Sequence, residues 1–120
     1  MTEEIDALLG HIRTSAKVNT SFGARALTPQ DYPHVQVVPD GQIAVSNNRE
    51  TMASVQLTVS VKVIGSRENE RDTLAVFGRI IQALNTFHQS KGHQLSGEGT
   101  QEYGTDTFTI TLPYIIKAII

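Results

Sequence analysis

The chain predicts an α+β domain, a largely antiparallel or mixed sheet of roughly three to five strands with two main helices on one face. Three stretches carry that expectation. In residues 54–64, Val55, Leu57, Val59, Val61 and Val63 alternate with Ser54, Gln56, Thr58, Ser60 and Lys62, a strict period of two built on β-branched residues. Residues 71–88 (RDTLAVFGRIIQALNTFH) place apolar side chains every three or four positions, the period of a helix. Residues 105–120 alternate again, Phe108, Ile110, Leu112 and Tyr114 against Thr107, Thr109, Thr111 and Pro113.

Taken in order, the first helix is expected at about 3–17. Ile5, Leu8, Leu9, Ile12 and Ala16 share one face, Thr2 caps the start, and Glu3, Glu4 and Asp6 meet the positive end of the helix dipole. Gly10 costs about 1 kcal/mol relative to alanine and implies either an interruption or a close approach to another backbone. Residues 18–32 read as a connection with a short turn at 28–31. Pro33 opens a strand with Val35 and Val37 on one face. Pro39, Asp40 and Gly41 form an expected turn, because proline presets φ and glycine accepts a positive one. Residues 42–46 then make a short return strand through Ile43 and Val45, and Asn47, Asn48, Arg49 and Glu50 a polar loop tip.

The second helix is expected at about 69–88, capped by Ser66 or Asn69 with Glu70 and Asp72 in its first turn. Leu74, Phe77, Ile81 and Leu84 form one stripe, and Val76, Ile80, Ala83 and Phe87 an adjacent one, together a broad core face. Gly78 reads as the point where this helix approaches the strands closely. Residues 89–104 are polar with four glycines and read as a mobile loop with a ragged strand near Leu95. In the last strand Pro113 argues for an edge position or a bulge, and beyond it Ile115, Ile116, Ala118, Ile119 and Ile120 make both faces apolar.

Composition excludes several functions. The 120 residues suit a single domain over 1–120. No cysteine is present, so disulfides, thiolate metal sites and a cysteine nucleophile are excluded. A net charge of −2 leaves no basic footprint for neutralising nucleic-acid phosphates. No segment approaches the ~18 consecutive apolar residues of a membrane span, and the acidic start does not resemble a secretory signal, so a cytoplasmic setting is expected.

Catalytic constellations are missing. His11, His34, His88 and His93 fall on separate expected elements without metal-ligand spacing. Gly97, Glu98 and Gly99 lack the Gly-Lys-Ser/Thr continuation and following helix of a phosphate loop. No GxSxG turn supports a Ser-His-Asp hydrolase. No catalytic, cofactor or metal residues are assigned, and the chain is expected not to be an enzyme. The aliphatic tail has the composition of a segment that must be paired or covered. Either the segment crosses the core, covered on both faces, or part of it pairs with a neighbouring subunit, in which case Tyr114, Ile115, Ile116, Ile119 and Ile120 are the expected subunit contacts.

The order of parts resembles the tail terminator (tail-completion) proteins of long-tailed bacteriophages and prophages, and the related head–tail neck proteins. The resemblance runs through Tyr32, Pro33, Val35 and Val37, the strand at 55–64, the helix at 74–84 and the closing strand at 108–116. It implies a non-enzymatic assembly protein that forms a ring, commonly a hexamer, caps the tail tube and presents a surface to the head connector or completion protein. DNA would pass through the lumen without being read. The implied location is the host cytoplasm during assembly and then the neck or tail of the virion. On this view Asn47, Asn48, Arg49 and Glu50 contact tube or connector, while Thr58, Ser60 and Lys62 face the lumen. A small ferredoxin-like ligand-binding or regulatory domain acting as an oligomer is the alternative.

Overall fold

The computed structural model describes residues 2–24, 27–49, 52–91, 93–95 and 97–119. The fold is α+β: two helices lie on one face of an open, mostly antiparallel sheet. Helix α1 spans Thr2–Ala16 and α2 spans Glu70–Lys91. The strands are β1 (Asn19–Phe22), β2 (His34–Arg49), β3 (Met52–Ser66), β4 (Gln94–Leu95), β5 (Thr100–Tyr103) and β6 (Thr107–Ile119). Their order across the sheet is β1-β2-β3-β6-β4, with β5 also paired to β6. Among the described residues only β1 runs parallel to its neighbour.

The alternation at 54–64 sets the layer. Leu57, Val59, Val61 and Val63 of β3, Val35 and Val37 of β2, and Leu112, Tyr114 and Ile116 of β6 share one face. Ile5, Leu8, Ile12 and Ala16 of α1 and Val76, Ile80, Leu84 and Phe87 of α2 close over them. Burying each such aliphatic side chain contributes about 1.5–3 kcal/mol. The buried stripe of α2 is narrower than expected: Phe77 and Ile81 pack partly on the core, and Leu74 stays half exposed. Helix α1 ends with Lys17 in the left-handed region (φ 54°), and Arg79 Nε of α2 donates to the Ala16 carbonyl at 2.9 Å, satisfying one of the carbonyls a helix end leaves open.

Several expectations are corrected. The connection at 18–32 contains β1, whose inward residue is a threonine rather than an aliphatic. Thr20 is buried because its hydroxyl donates to the Leu9 carbonyl (3.2 Å) and Arg13 donates to its Oγ1 (3.1 Å). Polar satisfaction replaces hydrophobicity there, so no period-two signal is visible. The turn at 28–31 is present as a 3-10 turn, Pro29–Asp31, with the Thr28 N–H donating to the Asp31 carboxylate at 2.8 Å.

Pro39, Asp40 and Gly41 do not reverse the chain. Strand β2 continues to Arg49, and the shift in register from Pro39↔Val59 to Ile43↔Leu57 inserts two extra residues on β2. Gly41 at φ 85° and the Ser60 hydroxyl donating to Asp40 Oδ2 (2.8 Å) hold this bulge. Strand β2 runs on to Arg49 and β3 begins at Met52, so residues 47–49 are strand rather than loop. Ser66 does act as a cap, its Oγ accepting from the Glu68 N–H, but of a 3-10 turn (Arg67–Asn69) leading into α2.

The glycine at the close approach is also a different one. A Cβ at Gly78 or Gly10 would meet nothing within 4 Å. A Cβ at Gly65, a buried β3 position, would overlap Thr73 Oγ1 of α2. The segment 89–104 carries the end of α2 and both short strands β4 and β5.

Strand β6 is interior. Its ladder with β3 runs unbroken from Ser66↔Thr107 to Ser54↔Ile119, through Ser60↔Pro113. On its other side β5 ends at Thr111 and β4 begins at Tyr114, so the proline occupies the changeover between two neighbours, where a missing donor disturbs least.

Candidate functional site

The molecule is long, 54 × 24 × 23 Å, because β2 and β3 form one extended hairpin. At ~3.4 Å per residue the 15 residues of β3 run roughly 50 Å. The 22 residues of α2 cover roughly 33 Å at 1.5 Å each. Part of the apolar sheet face therefore lies beyond the helices.

That uncovered part follows β2. On the rung Ile43–Leu57–Ile116, Leu57 and Ile116 are buried while Ile43 is 64% exposed. On the next rung Val45 is also 64% exposed, opposite Val55. Pro39 is exposed, and Phe22, paired with Val37 at the end of β1, is 43% exposed. Phe22, Pro39, Ile43 and Val45 thus form an apolar strip on the helix-bearing face without a helix over it. The only trace of it in the sequence is the Ile43–Val45 alternation, which continues the inward column of β2.

The residues expected at subunit contacts divide between two faces. Burial alternates along β6 from Thr107 to Ala118: Tyr114 and Ile116 lie fully in the protomer core, while Ile115 is half-buried on the opposite face between Pro113 and Lys117. The expectation that alternation fails after Pro113 is thereby corrected. Ile115 and Lys117 are simply an aliphatic residue and an amphipathic one on the outer face. Tyr114 and Ile116 are consumed by intramolecular packing and leave no surface for a partner. Ile119 pairs with Ser54; its side chain, and Ile120 altogether, lie outside the described residues.

The expected lumen residues do share the sheet face away from the helices, but unequally. Ser60 is buried and committed to Asp40, so it is part of the bulge rather than a wetted surface. Thr58 and Lys62 are half-buried on either side of it. With Thr107, Thr109 and Thr111 of β6 they make a largely hydroxyl-bearing face. Asn47 and Arg49 stand opposite Ala53 and Met52 at the far end of the hairpin, and Asn48 lies between them. Glu50 lies outside the described residues.

The fold brings together residues that the sequence leaves apart. His11, Phe87, His93 and Tyr114 form a chain of ring contacts with centroids 5.3, 5.1 and 6.4 Å apart. A carbonyl can only accept, so His11 Nε2 donates to Ala83 O (2.9 Å). His93 Nδ1 accepts from the Lys117 N–H (2.9 Å), which leaves that nitrogen unprotonated. Burial pushes the Tyr114 phenol well above its usual pKa, and its hydroxyl has no hydrogen-bond partner among the described residues. These contacts tie α1, α2 and β6 together. Among the described residues no group of three potential ligands could hold a metal ion. A cavity of about 490 Å³ at Tyr32, Ser66, Arg67, Glu68, Thr105 and Asp106 is lined by an open set of charged and hydroxyl groups at the start of α2. Beside it the Arg67 guanidinium lies 5.2 Å from the centroid of the exposed Tyr103 ring.

No protein-family model matches the chain, and no curated protein matches it. Among solved structures 27 chains do. One belongs to a structure described as the virion of a native gene transfer agent particle. It is 16% identical, with a TM-score of 0.51 over 95% of this chain and 87% of that one. At that identity the likeness is one of fold.

Proposed function

We propose that this protein is a non-enzymatic structural component of a phage-like virion, a ring-forming tail terminator or neck protein that caps the tail tube and joins it to the head. The observation that carries the reading is the end-to-end match of fold to a chain of a virion particle, with nearly all of both chains aligned. The surface chemistry supports it. An elongated protomer with an apolar strip outside its own core is built to be completed by another chain. The largely hydroxyl-bearing face opposite the helices and the slightly acidic overall charge suit a channel that DNA traverses without being held. Self-association into a ring, commonly a hexamer, with tube and connector proteins as further partners, belongs to the same reading.

The test combines light scattering of the purified protein, negative-stain imaging and addition to growing tail tubes. Rings of defined size, together with tubes whose growth stops on addition, are expected. A strict monomer at high concentration that neither caps nor shortens tubes overturns the reading.

A further inference from the structure

Past the short strand β4, the outer edge of β6 is closed by a side chain. Strand β4 pairs Gln94 with Ile115 and Leu95 with Tyr114. Two positions further along β6, the Lys117 N–H donates to His93 Nδ1 at 2.9 Å, so the imidazole stands where a carbonyl would continue the ladder. The ring is 1% exposed. It lies nearly parallel to Phe87 of α2, at 15° with centroids 5.1 Å apart, and its centroid is 6.4 Å from that of Tyr114. Glu3, Glu4 and Ala7 of α1 border it, with Phe87, around a cavity of about 110 Å³. One imidazole thus ties the edge of β6 to the start of α1 and the end of α2.

The bond to Lys117 exists only for the neutral ring. A backbone N–H cannot accept, so Nδ1 keeps its lone pair and the ring proton sits on Nε2. An imidazolium carries a proton on both nitrogens and would set two donors against each other. Histidine makes this change close to neutral pH, ordinarily at about 6.5.

The groups facing the ring decide where it goes once charged. From α1, the Glu4 carboxyl is held below its usual range, first by a backbone hydrogen bond and least by His93. It is therefore ionised while histidine titrates, and with Glu3 it draws an imidazolium toward α1. From α2 the ring meets apolar Phe87, behind which lies His11. From β6 it meets the Tyr114 phenol, kept neutral by burial, while Lys117 turns to the outer face of the sheet and offers its backbone. Expulsion by the apolar neighbours and capture by Glu4 both take Nδ1 away from Lys117.

We propose that His93 is an acid-sensitive clasp: protonation of its imidazole releases the Lys117 N–H and lets β4 leave the edge of β6. With only two paired residues, β4 has little else to hold it there. The edge that opens carries Ile115, Ile116, Ala118 and Ile119, and an unpaired edge of that composition is a surface for strand pairing. The clasp belongs to the protomer and does not rest on the assembly reading above.

An asparagine Oδ1 sits where the imidazole Nδ1 does and accepts without titrating, so His93→Asn keeps the bond and removes the switch. Amide hydrogen exchange of the native protein and the variant is compared near pH 7.5 and near pH 5.5, on either side of the ordinary histidine value, as protection factors that divide out the intrinsic pH dependence. In the native protein, protection at Gln94, Leu95 and Lys117 should fall by at least about tenfold at the lower pH. Val59 and Val61 of β3 should keep theirs, and the variant should lose none. Unchanged protection in the native protein, or an equal fall in the variant, overturns the proposal. So does a fall that includes Val59 and Val61, because the acid effect is then global. Where His93→Asn fails to fold, the ring-nitrogen shifts of the native protein with isotope-labelled histidine decide. Nδ1 should be unprotonated at the higher pH and gain its proton over the range in which Lys117 loses protection. The opposite tautomer, or protonation that leaves Lys117 protected, overturns the clasp.

Discussion

The two halves of the β2–β3 ladder carry the same alternating pattern and meet opposite fates. In the proximal half Val35, Val37, Val59, Val61 and Val63 are fully buried under α1 and α2. In the distal half Ile43 and Val45 keep the same face and alternation yet remain 64% exposed. Period-two patterning thus states which face of a strand is apolar, and it is silent on whether anything lies over that face. The covered half holds the protomer together; the uncovered half is left for something outside it.

The largest effect that tests this contrast is truncation on each side of the boundary. Ile116→Ala, in the covered part, should cost about 2–5 kcal/mol by the usual cavity cost, read as a lower denaturation midpoint. Ile43→Ala, on the same stretch of sheet, should change isolated-protomer stability by less than about 0.5 kcal/mol. Equal losses would erase the distinction between covered and uncovered positions on that rung.

The two glycines sharpen the same contrast next. Gly65→Ala forces a methyl group into Thr73 of α2 and should cost about 1–3 kcal/mol through overpacking. Gly78→Ala meets open space and should raise protomer stability by about 1 kcal/mol, with thermal melts of both variants as the check.

A smaller effect concerns the tyrosine at the centre of the covered half. The Tyr114 hydroxyl is buried without a partner among the described residues, so Tyr114→Phe should be neutral or stabilising by up to about 1 kcal/mol. Burial raises the folded-state pKa of this phenol above its ordinary value of 10.0. The stability associated with its neutral form is therefore fully present below about pH 10 and is lost as pH rises beyond it, because the unfolded chain ionises first. Tyr114→Phe should make the alkaline limb of the stability profile shallower; an unchanged limb would show that the ring is not held in an apolar site.

Sequence patterning disclosed the two long helices, the long central strand and the closing strand, because each has more than two turns or rungs of periodic aliphatic residues. It failed where the periodicity was short or replaced by polar pairing. Strand β1 is four residues with Thr20 inward, and β4 and β5 have two and four residues. The bulge at Asp40–Gly41 carries the residues of a tight turn, and only the Ser60 hydrogen bond to Asp40 and the continuing β2–β3 ladder distinguish the two. The apolar tail after Pro113 looked two-faced because Ile115 and Ile116 are adjacent. Within the sheet they point to opposite sides, and only one enters the core.

Local chemistry alone thus determined the fold class, the inward face of each long element and the lack of thiol chemistry, since these depend on neighbours a few residues away. Which part of the apolar face is covered, which glycine sits at a close approach, and where Tyr114 and Ile116 go were decided by tertiary structure. The physical reason is length: a strand of roughly 50 Å outruns helices of roughly 33 Å or less, and only their placement in three dimensions fixes where the apolar surface ends up uncovered.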